Sequence, residues 1–317
     1  MKMTKESKNS ENKKSNQVKN SSEVIQGNYV ALVTPFYDGK IDEKSFKKLI
    51  DFVIENGCNG IVPCGTTGEA ATLDFDEHIK VIELALEFSA GRVKVMAGTG
   101  SNSTKEAIEL TKKAEKLGVD SVLLIAPYYI RPTQTGLYEH YKKIASECEV
   151  PQVLYNIPSR TGVNIEAETV LKLAHECKNI VGIKEASGNI KQISEIIREA
   201  PENFSVISGD DIMTLPIISI GGKGVISSTA NAFPSEMTKL VKYGLEGNFE
   251  EARKLHIYLL DAFNTLFIET NPIPVKTALY LMGIIRSPEL RLPLCPPSQK
   301  TLEMIKNMLK KYNLLPE

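Results

Sequence analysis

The sequence predicts an α/β protein, a (β/α)8 TIM barrel followed by a C-terminal helical annex. Three observations lead there. Short β-rich runs alternate strictly with amphipathic stretches at helical spacing, eight of each over roughly 215 residues, which implies right-handed crossovers and a closed parallel sheet. The first run ends Val33-Thr34-Pro35-Phe36 without a Gly-rich dinucleotide fingerprint, which disfavours the doubly wound open sheet. The chain has 317 residues, 42% hydrophobic and 24% charged, a size at which α/β barrels occur as one domain.

Taken in order, residues 1–26 stand apart. They are mostly Lys, Asn, Ser and Glu, too polar to bury a core, and are expected to be a disordered N-terminal extension. They hold no apolar h-region for secretion, and their lysines and acids fit organelle targeting less well than plain disorder. The barrel is expected over 27–246. Its strands are read at 29–34, 60–63, 93–97, 121–126, 152–155, 180–184, 204–208 and 224–227, each a β-rich apolar run suited to a sheet covered on both faces. Helices are read at 43–55, 76–88, 104–117, 136–147, 167–176, 190–199, 212–220 and 234–243 from their apolar stripes. From 247 to 317 the pattern is helical only, at 249–268, 274–282 and 298–312, interrupted by prolines at 288, 293, 296 and 297.

The formal net charge of −1 leaves no electrostatic footprint for nucleic acid or an anionic membrane. No apolar run approaches the ~20 residues of a membrane span. Five cysteines (58, 64, 148, 177, 295) form an odd set without C-x-x-C, read as buried or idle thiols in a reducing cytosol.

In a barrel, chemistry gathers at the C-terminal ends of the strands. The predicted exits are Gly65-Thr66-Thr67-Gly68-Glu69, then 98–102, then Pro127-Tyr128-Tyr129, then 155–162 with Tyr155 and Arg160, then Lys184-Glu185, then Gly209-Asp210-Asp211, then 227–231. None carries a histidine or a large carboxylate cluster, so no metal is expected. Lys184 ends the apolar run that starts at Ile180. On its own it reads as a lysine reaching for water beside Glu185. Inside the mouth of a closed barrel, burial lowers its pKa and turns it into a nucleophile for ketones, with a Schiff base as product. The residues around it suit that chemistry. The Gly-Thr-Thr-Gly turn, opening toward a helix N-terminus, offers amides and hydroxyls to a small carboxylate. Tyr155 has the reach of a proton shuttle. Arg160 has the planar fork for a second carboxylate.

Each has a plainer reading: a turn chosen for its backbone angles, a core aromatic, a surface arginine and, for Tyr128-Tyr129, simple packing. Gly221-Gly222-Lys223-Gly224 looks like a phosphate loop but precedes a strand, on the wrong face of the barrel, and is read as a connection. The four histidines (78, 140, 175, 256) fall in or beside helices and are expected to face solvent.

Four segments together resemble a known family. They are Gly65-Thr-Thr-Gly-Glu69, Pro127-Tyr-Tyr-x-x-Pro-Thr-Gln-x-Gly-Leu137, Tyr155-Asn-x-Pro-Ser-Arg-Thr-Gly162 and Gly182-x-Lys-Glu-Ala186. The chain from 27 to about 315 is similar to the dihydrodipicolinate (4-hydroxy-tetrahydrodipicolinate) synthase family of pyruvate-dependent class I aldolases. The Pro-Ser-Arg-Thr-Gly segment is the specific part, since relatives acting on sugar acids differ there. The resemblance implies the (β/α)8 barrel and condensation of pyruvate with L-aspartate 4-semialdehyde in the diaminopimelate and lysine pathway. It implies that Lys184 forms the imine, that Thr66 and Thr67 bind the pyruvate carboxylate, and that Thr67 also joins a proton relay. Tyr155 is then the central shuttle, and Tyr129, reaching in from a neighbouring subunit, completes the relay. Arg160 then holds aspartate semialdehyde, with Gly209 and Ile226 also at the substrate. A cytoplasmic homotetramer, a dimer of dimers, is implied, and no cofactor is required. An inhibitory lysine site is implied at His78, Asn102, Glu106 and Tyr128, with Ala70 and Phe75 departing from the usual serine and histidine. Two competitors stay open: another pyruvate aldolase acting on a sugar acid or hydroxy-oxo acid, and a barrel that only binds a small acid.

Overall fold

A computed structural model describes residues 24–316. The expected extension falls outside them up to residue 23, whereas Ile25, counted within it, is buried against the barrel interior. Eight parallel strands close into a barrel. They are β1 Gly27–Ala31, β2 Gly60–Val62, β3 Lys94–Gly98, β4 Ser121–Ile125, β5 Gln152–Asn156, β6 Ile180–Glu185, β7 Ser205–Ser208 and β8 Gly224–Ser227. Closure joins β8 to β1, with Gly27 opposite Gly224 and Val30 opposite Ser227. Between them run α1 Glu43–Glu55, α2 Phe75–Ser89, α3 Thr104–Leu117, α4 Gln134–Glu147, α5 Ala167–Glu176, α6 Ile190–Glu199, α7 Thr214–Ser219 and α8 Pro234–Leu245. The annex comprises α9 Phe249–Tyr258, α10 Leu260–Leu266, α11 Ile273–Leu281 and α12 Gln299–Lys311.

Period-two alternation sorts the strand residues into two cores. Tyr29, Ala31, Val62, Met96, Val153, Ile207 and Ile226 fill the barrel, while Val30, Ile61, Val95, Leu154, Val206 and Val225 meet the helices. One strand breaks the rule. Ile180 faces the helices and Val181 the barrel, so strict alternation would turn Ile183 inward and Lys184 outward. The β5–β6 register shifts by one there, from Gln152 opposite Ile180 to Val153 opposite Gly182. This bulge reverses the phase, sending Ile183 to the outer core and setting Lys184 beside Tyr155.

Local chemistry explains the element boundaries that differ from expectation. Thr133 accepts a hydrogen bond from the Gly136 amide, so α4 starts at Gln134 and not at 136. The stretch 212–220 is a 3-10 turn, Asp211–Met213, followed by the short α7. The stretch 249–268 is two helices that meet at Leu259. A small hairpin, Phe36–Tyr37 with Lys40–Ile41, lies between β1 and α1 and carries no alternating pattern long enough to read. Gly224 opens β8, so the Gly-Gly-Lys-Gly segment is the α7–β8 connection.

Candidate active site

Lys184 is the penultimate residue of β6, flanked in register by Tyr155 on β5 and Ile207 on β7. It is 6% exposed, which replaces the solvent-reaching alternative with a buried amine. Its Nζ lies 4.1 Å from the centroid of the Tyr155 ring. Burial pulls the amine down from 10.5 to about 8; the negative charge of Asp211 opposes the shift and Arg160 adds to it. Gly209 makes room for this side chain. A Cβ there would sit 2.9 Å from Lys184 Cγ and 3.0 Å from its Cε.

Lys184 opens onto a cavity of about 50 Å³ whose walls include Thr66, Thr67, Tyr155, Arg160, Gly209 and Ser228. Phe267 and Asn271, from the α10–α11 connection, also line it. Thr66 and Thr67 stand on a turn closed by Gly68 N–H to Gly65 O at 3.1 Å and Glu69 N–H to Thr66 O at 3.1 Å. The turn leads into a 3-10 segment, Ala70–Thr72, and α2 begins only at Phe75, so a helix N-terminus does not follow it directly as expected.

The two threonines differ in their partners. Thr66 stands beside the Tyr155 hydroxyl in the wall of the same cavity and works against the rise in its pKa. Thr67 Oγ1 lies 2.5 Å from Ser228 Oγ, and Asn271 Nδ2 donates to both oxygens, at 2.9 and 3.2 Å. Thr67, expected to join a proton relay, turns its hydroxyl toward Ser228 and the annex, and Thr66 is the threonine beside the Tyr155 phenol. Burial pushes the Tyr155 phenol up to about 12, so it is a proton donor at neutral pH. Arg160 sits on a single helical turn, Pro158–Thr161, with its amide bonded to Ile157 O at 3.0 Å. Ile226 is buried on the inner face of β8.

Asp211 is a further buried charge at this rim. Its Oδ2 accepts the Thr229 amide at 2.9 Å and the Thr229 hydroxyl at 2.7 Å, while Oδ1 has no hydrogen-bond partner. Tyr129 stands apart from its own chain's cavity, 87% exposed and with φ of 74°.

A larger cavity, about 450 Å³, adjoins the first and shares Thr66, Tyr155 and Arg160 with it. His78, Glu106 and Tyr128 line it, as do Ala70 and Phe75, while Asn102 donates to the Tyr128 carbonyl at 3.4 Å. His78 and His140 are buried, which overturns the expectation that all four histidines face solvent. His78 donates from Nε2 to Gly98 O at 2.7 Å, and His140 Nδ1 lies 2.9 Å from the Thr104 hydroxyl. Helical spacing in the sequence does not tell a wet face from a polar contact with a neighbouring helix or strand. Asn271 and Ser228 were not singled out from sequence; the available signal for Asn271 was a polar side chain directly ahead of a Pro-x-Pro.

A sequence model of the dihydrodipicolinate synthetase family matches residues 24–312. The chain is 54% identical over 292 residues to the 4-hydroxy-tetrahydrodipicolinate synthase of Thermodesulfovibrio yellowstonii, covering 92% of this chain and 100% of that protein. The crystal structure of dihydrodipicolinate synthase from Aquifex aeolicus superposes with a TM-score of 0.91 at 51% identity, covering 92% and 100% of the two chains. The chloride-inhibited dihydrodipicolinate synthase from Acinetobacter baumannii, complexed with pyruvate, gives 0.89 at 45% identity over 92% and 100%.

Proposed function

The chain belongs to the dihydrodipicolinate synthetase family and is an enzyme with 4-hydroxy-tetrahydrodipicolinate synthase activity, and we propose that it condenses pyruvate with L-aspartate 4-semialdehyde through an imine on Lys184. One observation carries this reading: a buried amine, drawn down to about 8, opens onto a cavity walled by threonine hydroxyls, a phenol and an arginine. The neutral amine attacks the ketone carbon of pyruvate and water leaves. The resulting iminium is an electron sink, so a methyl proton departs and an enamine forms. The enamine carbon attacks the aldehyde. The semialdehyde's own amine then closes on the imine carbon and releases Lys184. Thr66 and Thr67 hold the pyruvate carboxylate, and Tyr155 with Thr66 carries protons between steps. Arg160 holds the carboxylate of the semialdehyde, beside Gly209 and Ile226. Borohydride added with pyruvate tests the reading: a mass increase mapping to Lys184 is expected, and an unmodified Lys184 with turnover intact would refute it.

The exposure of Tyr129 supports an assembly in which it completes the relay of a neighbouring subunit, within a cytoplasmic homotetramer. Light scattering across concentration together with loss of turnover in Tyr129→Phe tests this, and a monomer as active as the assembly would overturn it. The cavity holding His78, Glu106 and Tyr128, with Asn102 at its edge, is the proposed inhibitory lysine site. Phe75 and Ala70 in its wall remove polar partners, so weak inhibition is expected, and a flat rate across millimolar L-lysine would rule it out.

A further inference from the structure

Two buried charges take no part in the imine chemistry. Glu69 follows the Thr66-Thr67-Gly68 turn, and its carboxylate meets the Lys276 amine at 2.5 Å, both side chains 0% exposed. The other Glu69 oxygen accepts the Arg291 amide at 3.1 Å. The amine of Lys276 lies 4.1 Å, and the guanidinium carbon of Arg291 4.2 Å, from the centroid of one ring, Phe36. Arg291 also donates to Thr72 O at 3.2 Å, and Asn271, five residues before Lys276, bonds Thr67. The annex thus grips the segment from Thr67 to Thr72 at three points.

Stability alone does not account for such a pair. Desolvating two charges offsets their attraction, and apolar replacements of similar volume often leave a fold as stable or more so. What an ion pair provides here is fixed geometry. Glu69 is a non-glycine residue held left-handed, at φ of 55° and ψ of 35°, a conformation its own side chain disfavours. Released from Lys276 and Arg291, it would relax toward negative φ and tilt the residues just before it.

We propose that Glu69 and Lys276 are positioning residues that lock the annex onto the substrate turn, and so set where the Thr66 and Thr67 groups meet pyruvate's carboxylate without touching it. This rests on the assignment of that turn to pyruvate. A displaced turn weakens pyruvate capture and leaves the semialdehyde contacts of Arg160 alone.

The test uses the full chain and the double variant Glu69→Gln/Lys276→Met, which removes both charges together. Melting temperature, pyruvate concentration at half-maximal borohydride trapping on Lys184, and KM for aspartate semialdehyde at saturating pyruvate are measured. The expected result is a nearly unchanged melting temperature, a rise of about tenfold or more in pyruvate half-saturation, and an unchanged semialdehyde KM. Arg291→Met, at a partly exposed side chain, loosens the same grip without touching the buried pair and is expected to give a smaller rise of the same kind. Parent-like pyruvate half-saturation in the double variant overturns the inference and leaves a merely structural pair. If the double variant does not fold, parent-like half-saturation in Arg291→Met does the same. A parent chain that pyruvate does not label on Lys184 defeats the functional reading instead, and this inference with it.

Discussion

The neutral fraction of the Lys184 amine sets a measurable pH dependence. In the proposed reaction only the neutral form attacks pyruvate. With the amine at about 8, ~10% is neutral at pH 7, against ~0.03% at the unshifted value, a gain of about 300-fold. The rate of imine formation at subsaturating pyruvate should therefore climb about tenfold per pH unit below pH 8 and level off above it. Quenching with borohydride at short times and weighing the Lys184 peptide, from pH 6 to 10 or so, reads this directly. Asp211 gives a second arm. Its charge raises the amine's pKa, so Asp211→Asn should shift the midpoint below 8. A midpoint near 10.5, or an upward shift in Asp211→Asn, would refute the argument. The stability sign is opposite to that of a paired lysine. The folded chain releases this proton at about 8 and the unfolded chain near 10.5. The unfolded state thus binds more protons across that window. The cost to stability, roughly 3 kcal/mol, is full below pH 8 and is relieved as pH rises toward 10.5.

Three further outcomes follow from the same geometry. Tyr155→Phe removes the phenol beside Thr66; borohydride labelling of Lys184 by pyruvate should persist while turnover falls about 10²- to 10³-fold, and parent-like turnover would dismiss the relay. Gly209→Ala places a methyl 2.9 Å from Lys184 Cγ; labelling should drop about tenfold or more with the melting temperature nearly kept, and full labelling would mean that the lysine has another path. Arg160→Ala should raise the KM for aspartate semialdehyde about 10- to 100-fold, and should move the Lys184 midpoint slightly up, because this cation helps hold the amine's pKa down; an unchanged KM removes Arg160 from the semialdehyde.

The barrel was legible because each strand is apolar on both faces and each helix carries one apolar stripe, two patterns that do not imitate each other. The candidate site was legible where one residue type suggests its chemistry: a lysine at a strand end, paired threonines in a turn, an arginine just past a strand. Partnership was harder to read. Thr66 and Thr67 are neighbours of one type, and only the fold sends one to Tyr155 and the other to Ser228 and Asn271. Asn271 lies 204 residues from Thr67, and no local pattern links them. The bulge in β6 is a further case. Strict alternation through Ile180-Val181-Gly182-Ile183-Lys184 would point the amine at the helices, and the one-residue slip that corrects this depends on pairing with β5.

Burial by itself does not single out Lys184, because a second lysine amine is also buried. Lys276 is as deeply enclosed as Lys184, and desolvation draws both down to about 8. They differ in what surrounds the nitrogen. Lys276 faces a carboxylate at 2.5 Å and the Phe36 ring at 4.1 Å, so its amine is paired and there is no room for a ketone. Lys184 faces the Tyr155 ring and an open cavity, and its through-space anion, Asp211, is anchored by Thr229 at a distance that influences the amine without capping it. Pyruvate trapping should therefore label Lys184 and spare Lys276 in the same digest. Moving the pairing carboxylate, not deepening the burial, is what would exchange their roles.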